Sequence, residues 1–336
     1  MFRRLLPVSP AVLGLVLGGC LLGEAEHENP LDPQSELYRG EGAVEGRVTG
    51  IYPPFDGRPG VMLRLEPIGT DGPGMTSVTR DDGTFEILGV PKGTYALHAE
   101  AAGLTTRTDT VTVETGGTVA VDLPLDALPV VVEQALRTVH IERWFPAAPL
   151  FLLEVEAEVS DPDRPTDVDA VALVVDELGF RAPLTEAEPG RYVATLEAAA
   201  LPGGQVQSLL GRQHRIEVAD VTGHVGLGPP LALVRVIEQT PQVARPQSLE
   251  VLTSNPPTLE WRPTDLPFAF TYDVEVFLVD GAGRPNLVES AEGIAPTVTS
   301  YDVRAPLPAG DYFWTVWLVD AAGNRSRSKE AGFRAP

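Results

Sequence analysis

From about residue 42 to the end, apolar side chains alternate with polar ones in short runs, and turn residues return roughly every 8–12 positions. No stretch carries its apolar positions through three helical turns. A period of two, cut repeatedly by Gly, Pro, Asp and Asn, predicts half-buried antiparallel strands packed as sandwiches. The best helix candidate, Glu197 to Leu201, is a short alanine-rich patch ended by Pro202 and Gly203. Three strand-rich segments stand out, at 42–126, 129–237 and 240–336. The expected fold class is therefore all-β, with tandem antiparallel β-sandwich domains.

In the first segment Ala43, Val44, Gly46 and Val48 open a strand, and Val61 to Leu65 and Phe85-Glu86-Ile87 continue the alternation. Asp81-Asp82-Gly83 predicts a tight hairpin, because Asp-Gly supplies a positive φ. Pro91-Lys92-Gly93 marks the next turn before Tyr95 and Leu97. The Gly-x-Val start, Asp-Gly-x-Phe hairpin and Pro-x-Gly-x-Tyr corner resemble the carboxypeptidase regulatory-like, transthyretin-like sandwich over about 85 residues. That resemblance implies a fold and an accessory module, and no catalytic residue comes with it.

The second segment offers strands at Leu152–Val159, Ala170–Val175, Gly190–Leu196 and Ile216–Asp220, with Ser160-Asp161-Pro162-Asp163 turning the chain. It resembles bacterial immunoglobulin-like domains, in which a Val-x-Asp-Pro-Asp turn joins two core strands. In the third, Pro257-Thr258-Leu259-Glu260-Trp261 is similar to the second strand of a fibronectin type III domain. Leu307-Pro308-Ala309-Gly310-Asp311-Tyr312, followed by Trp314, Val316 and Leu318, resembles that domain's tyrosine-corner strand. Ile216 to Gly223 also echoes Val316 to Gly323: each is an alternating strand running into Asp-x-x-Gly. The last two segments are thus expected to be related sandwiches in tandem. Prolines at Leu128-Pro129 and Thr240-Pro241 are expected to stiffen the joins.

The N-terminus changes the picture. Arg3 and Arg4 precede an apolar run from about Leu5 to Leu17, and small residues lead to Cys20, the only cysteine. This is the layout of an export signal, and the run is too short and too proline-broken to span a bilayer comfortably. Leu17-Gly18-Gly19-Cys20 resembles the lipobox of bacterial lipoproteins. The resemblance implies cleavage after residue 19, lipid on the Cys20 thiol and a membrane partner reached through that lipid. Leu21, where aspartate would resemble an inner-membrane retention signal, favours the outer membrane. Residues 20–41 read as lipid anchor and disordered tether, acidic and without periodicity, with a reach of about 25 Å.

Charge narrows the partners. The two arginines lost with residues 1–19 take the formal net charge from −22 to −24, which argues against nucleic acid and against adhesion to anionic lipid by charge alone. A single cysteine allows no internal disulfide and no thiolate zinc site. The histidines His27, His98, His140, His214 and His224 are scattered, and no Gly-x-Ser-x-Gly elbow, His-Glu-x-x-His pair or phosphate loop is present. No enzyme and no cofactor are expected.

Two places could carry chemistry. Asp161, Asp163, Asp167 and Asp169 crowd one loop; they make either a calcium site or a solvated acidic turn whose carboxylates bond nearby amides. In the third segment Tyr272, Val274, Val276 and Leu278, with Tyr312, Trp314, Val316 and Leu318, are expected to face the core. Phe277, Phe313 and Trp317 then face outward, as a recognition patch or as cross-strand pairs that stiffen the sheet. The expected function is a non-catalytic envelope module that binds a protein or glycan or acts as a spacer. The alternative is an accessory lipoprotein of an envelope transport or secretion assembly.

Overall fold

The computed structural model describes Ser35 and residues 40–336, and their regular structure is strand with only short 3-10 turns. The Glu197–Leu201 helix candidate is one such turn, Ala198–Ala200. Two compact units result. One takes in the described residues up to Thr49 with Asp56–Glu100 and Arg107–Leu123; the other takes in Gly50–Phe55, Ala101–Thr106 and Pro124–Pro336.

The first unit is built from β1 (Gly42–Thr49), β2 (Met62–Pro67), β3 (Met75–Val78), β4 (Thr84–Val90), β5 (Gly93–Glu100), β6 (Arg107–Val113) and β7 (Thr118–Pro124). They form two sheets, ordered β4-β1-β7 and β3-β2-β5-β6. Alternation places Val44, Val48, Leu63, Leu65, Phe85, Ile87, Leu97 and Val113 in the core. Each such side chain contributes roughly 1.5–3 kcal/mol when fully buried. Gly46 is required by a close approach: a Cβ there would lie 1.8 Å from the Val121 carbonyl oxygen of β7. Gly83 has the expected positive φ of 81°, and the Arg80 N–H donates to the Thr84 carbonyl at 2.8 Å. Its flanking strands β3 and β4 enter opposite sheets, so the Asp-Gly turn is a corner between layers rather than the end of a hairpin ladder.

The second unit begins with β8 (Val130–Ile141), β9 (Leu150–Ser160), β10 (Val168–Val175), β11 (Phe180–Glu188), β12 (Arg191–Glu197), β13 (Gln213–Asp220), β14 (Val225–Leu227) and β15 (Leu231–Ala232). Its first half, Phe180 to Leu184, makes β11 a partner of β10, and its second half pairs with β12. By switching partners β11 carries one ladder from β14 around to β8. Strands from both ends of that ladder meet in one core, with Leu136, Leu153, Val155, Val171, Leu173, Ile216 and Val218 in contact.

The remaining strands are β16 (Val243–Arg245), β17 (Glu250–Val251), β18 (Thr258–Trp261), β19 (Phe270–Val279), β20 (Pro285–Ile294), β21 (Ser300–Asp302), β22 (Gly310–Asp320), β23 (Arg325–Arg327) and β24 (Ala331–Ala335). The sheet β16-β18-β21 faces the sheet of β19, β20 and β22 across Leu259, Trp261, Tyr272, Val274, Trp314, Val316, Leu318 and Phe333. The Trp314 indole N–H donates to the Pro246 carbonyl at 2.8 Å, which satisfies the polar edge of a fully buried ring. The tyrosine corner is formed: the Tyr312 hydroxyl donates to the Pro308 carbonyl at 2.8 Å. Tyr95 does the same to Pro91 in the first unit, at 2.8 Å and from the same Pro-x-Gly-x-Tyr spacing.

Within the second unit the two sandwiches share backbone. β23 pairs in parallel with Val139–Ile141 of β8, so the ladder continues from β8 through β23 to β22, β19 and β20. The Asn324 side-chain oxygen accepts the Thr138 N–H at 2.9 Å, and Arg325 reaches Glu154 at 2.7 Å. Beside the chain's own join at Thr240-Pro241, the two are thus linked by strand pairing.

Candidate functional site

Cys20 and the lipobox residues Leu17, Gly18 and Gly19 lie outside the described residues. Of the two readings of Phe277, Phe313 and Trp317, an exposed patch or cross-strand packing, the structure shows the second. Phe277 and Phe313 are half-buried register partners whose rings stack at 4.8 Å. Trp317 is only 9 % exposed. Its indole N–H donates to Glu275 at 2.8 Å, and the guanidinium carbons of Arg325 and Arg327 lie 4.9 and 5.8 Å from its ring centroid. The cause is β23, which pairs with β22 and lays Arg327 directly opposite Trp317. Cation–π contact and a satisfied N–H make this ring part of the sheet's outer packing.

Exposed aromatic surface lies elsewhere, in the loop between β8 and β9. Trp144 is 66 % and Phe145 90 % exposed. Trp144 is held in place: its N–H donates to the Glu330 carbonyl at 2.7 Å, and the Lys329 ammonium sits 4.5 Å from its ring centroid. Trp144 forms a wall of two grooves of about 360 Å³ each. One is apolar, with Val243, Leu249, Phe313 and Ala331; the other is polar, with Glu142, Gln242, Gln247 and Lys329. Ser248 and Leu249 beside them have φ of 58° and 59°, a left-handed backbone that side chains with a Cβ adopt at a cost and that clusters at binding sites. The sequence signal was Arg143-Trp144-Phe145-Pro146, an aromatic pair in a turn where no strand alternation calls for one.

The acidic loop is reorganised. Asp169 is exposed, whereas Asp161 and Asp167 are buried, and two aspartates distant in sequence join them. Carboxylate oxygens of Asp126, Asp163 and Asp167 lie within 4.8 Å of one another, as do ligand atoms of Asp126, Asp220 and His224. Local donors hold each chain. The Tyr52 hydroxyl donates to Asp167 Oδ1 at 2.7 Å, the Asp163 N–H to Asp161 Oδ1 at 2.8 Å, and the Ala127 N–H to Asp163 Oδ2 at 2.7 Å. Asp220 Oδ1 accepts the N–H groups of Thr222 and His224, and Asp126 Oδ2 takes the Thr222 hydroxyl at 2.6 Å. Burial pushes the Asp126 and Asp161 carboxyls above the usual carboxylate range, and neighbouring aspartates push the same way. Sequence does not mark Asp126 and Asp220 as ligands, because Asp220 ends β13, Asp126 follows β7 by two residues, and only chain folding brings them to the loop.

Residues 43–126 match the family model of the carboxypeptidase regulatory-like domain, a non-catalytic module type. The chain is thus an all-β protein of sandwich modules in which the first is similar to that family. No curated protein matches the chain. Among solved structures, the FN1–FN3 domains of chicken CNTN1 are 12% identical, over 88% of this chain and 96% of theirs, with a TM-score of 0.32. BcpA, the major pilin subunit of Bacillus cereus, is 13% identical over 85% and 91%, with a TM-score of 0.30. A DUF3823 family protein from Parabacteroides merdae is 16% identical over 59% and 100%, with a TM-score of 0.27. At scores this low the superpositions carry no argument about this chain; its own strand pairing defines the fold.

Proposed function

We propose that this protein is a non-catalytic, lipid-anchored envelope module that presents its sandwiches to bind a protein or glycan, with the Trp144 grooves as the contact. The observation that carries this reading is the fixed, outward-facing Trp144 beside exposed Phe145, between an apolar and an amide- and carboxylate-lined groove. An immobilised indole is a low-entropy stacking platform for a sugar ring or an aliphatic side chain, and neighbouring amides supply orientation. Attachment at Cys20 and delivery to the outer membrane rest on the signal, the lone cysteine and Leu21.

Both halves of the proposal are testable. The unaltered protein takes up labelled fatty acid and the Cys20→Ala variant takes up none. Glycan arrays and capture from envelope extracts, run with the unaltered protein and with Trp144→Ala/Phe145→Ala, test the grooves. These side chains lie mostly in solvent, so the double variant should melt within a few degrees of the parent while losing its partner. Equal capture by both would remove the grooves from the function.

A further inference from the structure

Four buried aspartates share one pattern: one carboxylate oxygen is held by the protein and the other has no hydrogen-bond partner. The bare atoms are Asp126 Oδ1, Asp161 Oδ2, Asp167 Oδ2 and Asp220 Oδ2, on residues 3, 5, 0 and 2 % exposed. A buried carboxylate oxygen with nothing to accept is costly, and here the cost is repeated within one cluster. Among the described residues, Arg164 and His224 approach the cluster without hydrogen-bonding these four oxygens. Arg164 is half-exposed, spends its face on the Tyr52 ring at 3.7 Å, and reaches only Asp167 Oδ1, at 3.7 Å. His224 Nδ1 sits on Asp126 Oδ2, the oxygen already in use, at 3.0 Å, and comes no nearer than 3.8 Å to Asp220 Oδ2, beyond hydrogen-bond distance.

We propose that Asp126, Asp163 and Asp167 bind a calcium ion, with Asp161 and Asp220 completing the negative field around it. Two oxygens that each lie about 2.3–2.6 Å from one ion are at most about 5 Å apart; oxygens of these three carboxylates lie within 4.8 Å of one another. The donor set is hard oxygen throughout, which suits calcium, whereas zinc would want thiolate or free imidazole. The anchoring bonds from the Tyr52 hydroxyl to Asp167, the Ala127 N–H to Asp163 and the Thr222 hydroxyl to Asp126 fix the three carboxylates before the ion arrives.

The test uses the full chain in detergent, with calcium chloride as the probe. Calorimetry should give a one-site isotherm, and at a hundredfold excess over Kd the melting temperature should rise by roughly 5 °C and fall back in EDTA. Asp167→Asn keeps an oxygen for the Tyr52 hydroxyl, so it should melt in EDTA no lower than the parent while binding calcium at least tenfold more weakly. Should that variant fail to fold, terbium emission excited through tyrosine in the unaltered protein supplies the readout: calcium should displace it, and Tyr52→Phe should dim it. No heat of binding with equal melting in calcium and EDTA would overturn the proposal, as would full affinity in a folded Asp167→Asn.

Discussion

An aspartate with glycine three positions later folds identically at Asp220, Asp280 and Asp320. In each, the carboxylate accepts the second and fourth following N–H groups at 2.8–2.9 Å, and the aspartate N–H closes the turn onto the fourth carbonyl. What differs is the side chain at that fourth following position: His224 turns to Asp126, Arg284 stays in solvent, and Asn324 is buried against Thr138. Buried imidazoles set a second residue-level property. His140 stacks on Phe151 at 4.1 Å with its Nδ1 3.2 Å from the Ile237 carbonyl, and His214 is fully buried. Burial holds both below the ordinary histidine value of 6.5. The unfolded chain therefore takes up protons near pH 6.5 that the folded one refuses, so stability is lost as pH falls through 6.5 and the loss is complete below the depressed folded values. Urea unfolding at pH 7.5 and 5.5 should show a smaller difference for His140→Gln/His214→Gln than for the parent. An unchanged difference would mean that neither ring titrates on unfolding.

At the level of elements the decisive strand is β23, three residues long. It extends the β8 edge in parallel, buries Ser326, and brings Arg325 to Glu154 on one side and Trp317 on the other. Asn324, at its head, accepts from Thr138 and donates to Asp320 at 3.1 Å. Asn324→Ala leaves the buried Thr138 N–H without its acceptor, a cost of about 1–3 kcal/mol. Denaturant melts should show that loss, and amide exchange should quicken in Val139–Ile141 and Arg325–Arg327 before it changes in β19 or β22. Loss of protection spread evenly through the unit would show that these bonds are not what holds the seam.

For the whole molecule, the shared ladder implies fewer cooperative units than sandwiches. Strands Val130–Leu227 and Val243–Ala335 belong to one compact unit, and the chain from Gly42 to Leu123 contributes most of another. Scanning calorimetry should resolve two transitions, with the second and third sandwiches melting together. Three separated transitions would show that the β8–β23 pairing is too weak to couple them.

Alternation, glycine and proline made many of the core strands legible, since a period of two is written locally along Leu152–Val159 or Tyr312–Leu318. The two Pro-x-Gly-x-Tyr corners and the echo of Asp220 in Asp320 were legible for the same reason: each is closed by residues at most four apart. Sequence also singled out Asp161, Asp163 and Asp167, close neighbours in one loop. Tertiary structure alone added Asp126 and Asp220, exposed Asp169 and covered Trp317. Alternation states which face of a strand a side chain takes; it does not state what the chain later lays over that face. Burial and convergence are set by contacts across long stretches of sequence, Asn324 to Thr138 or Tyr52 to Asp167, and such contacts leave no period to read.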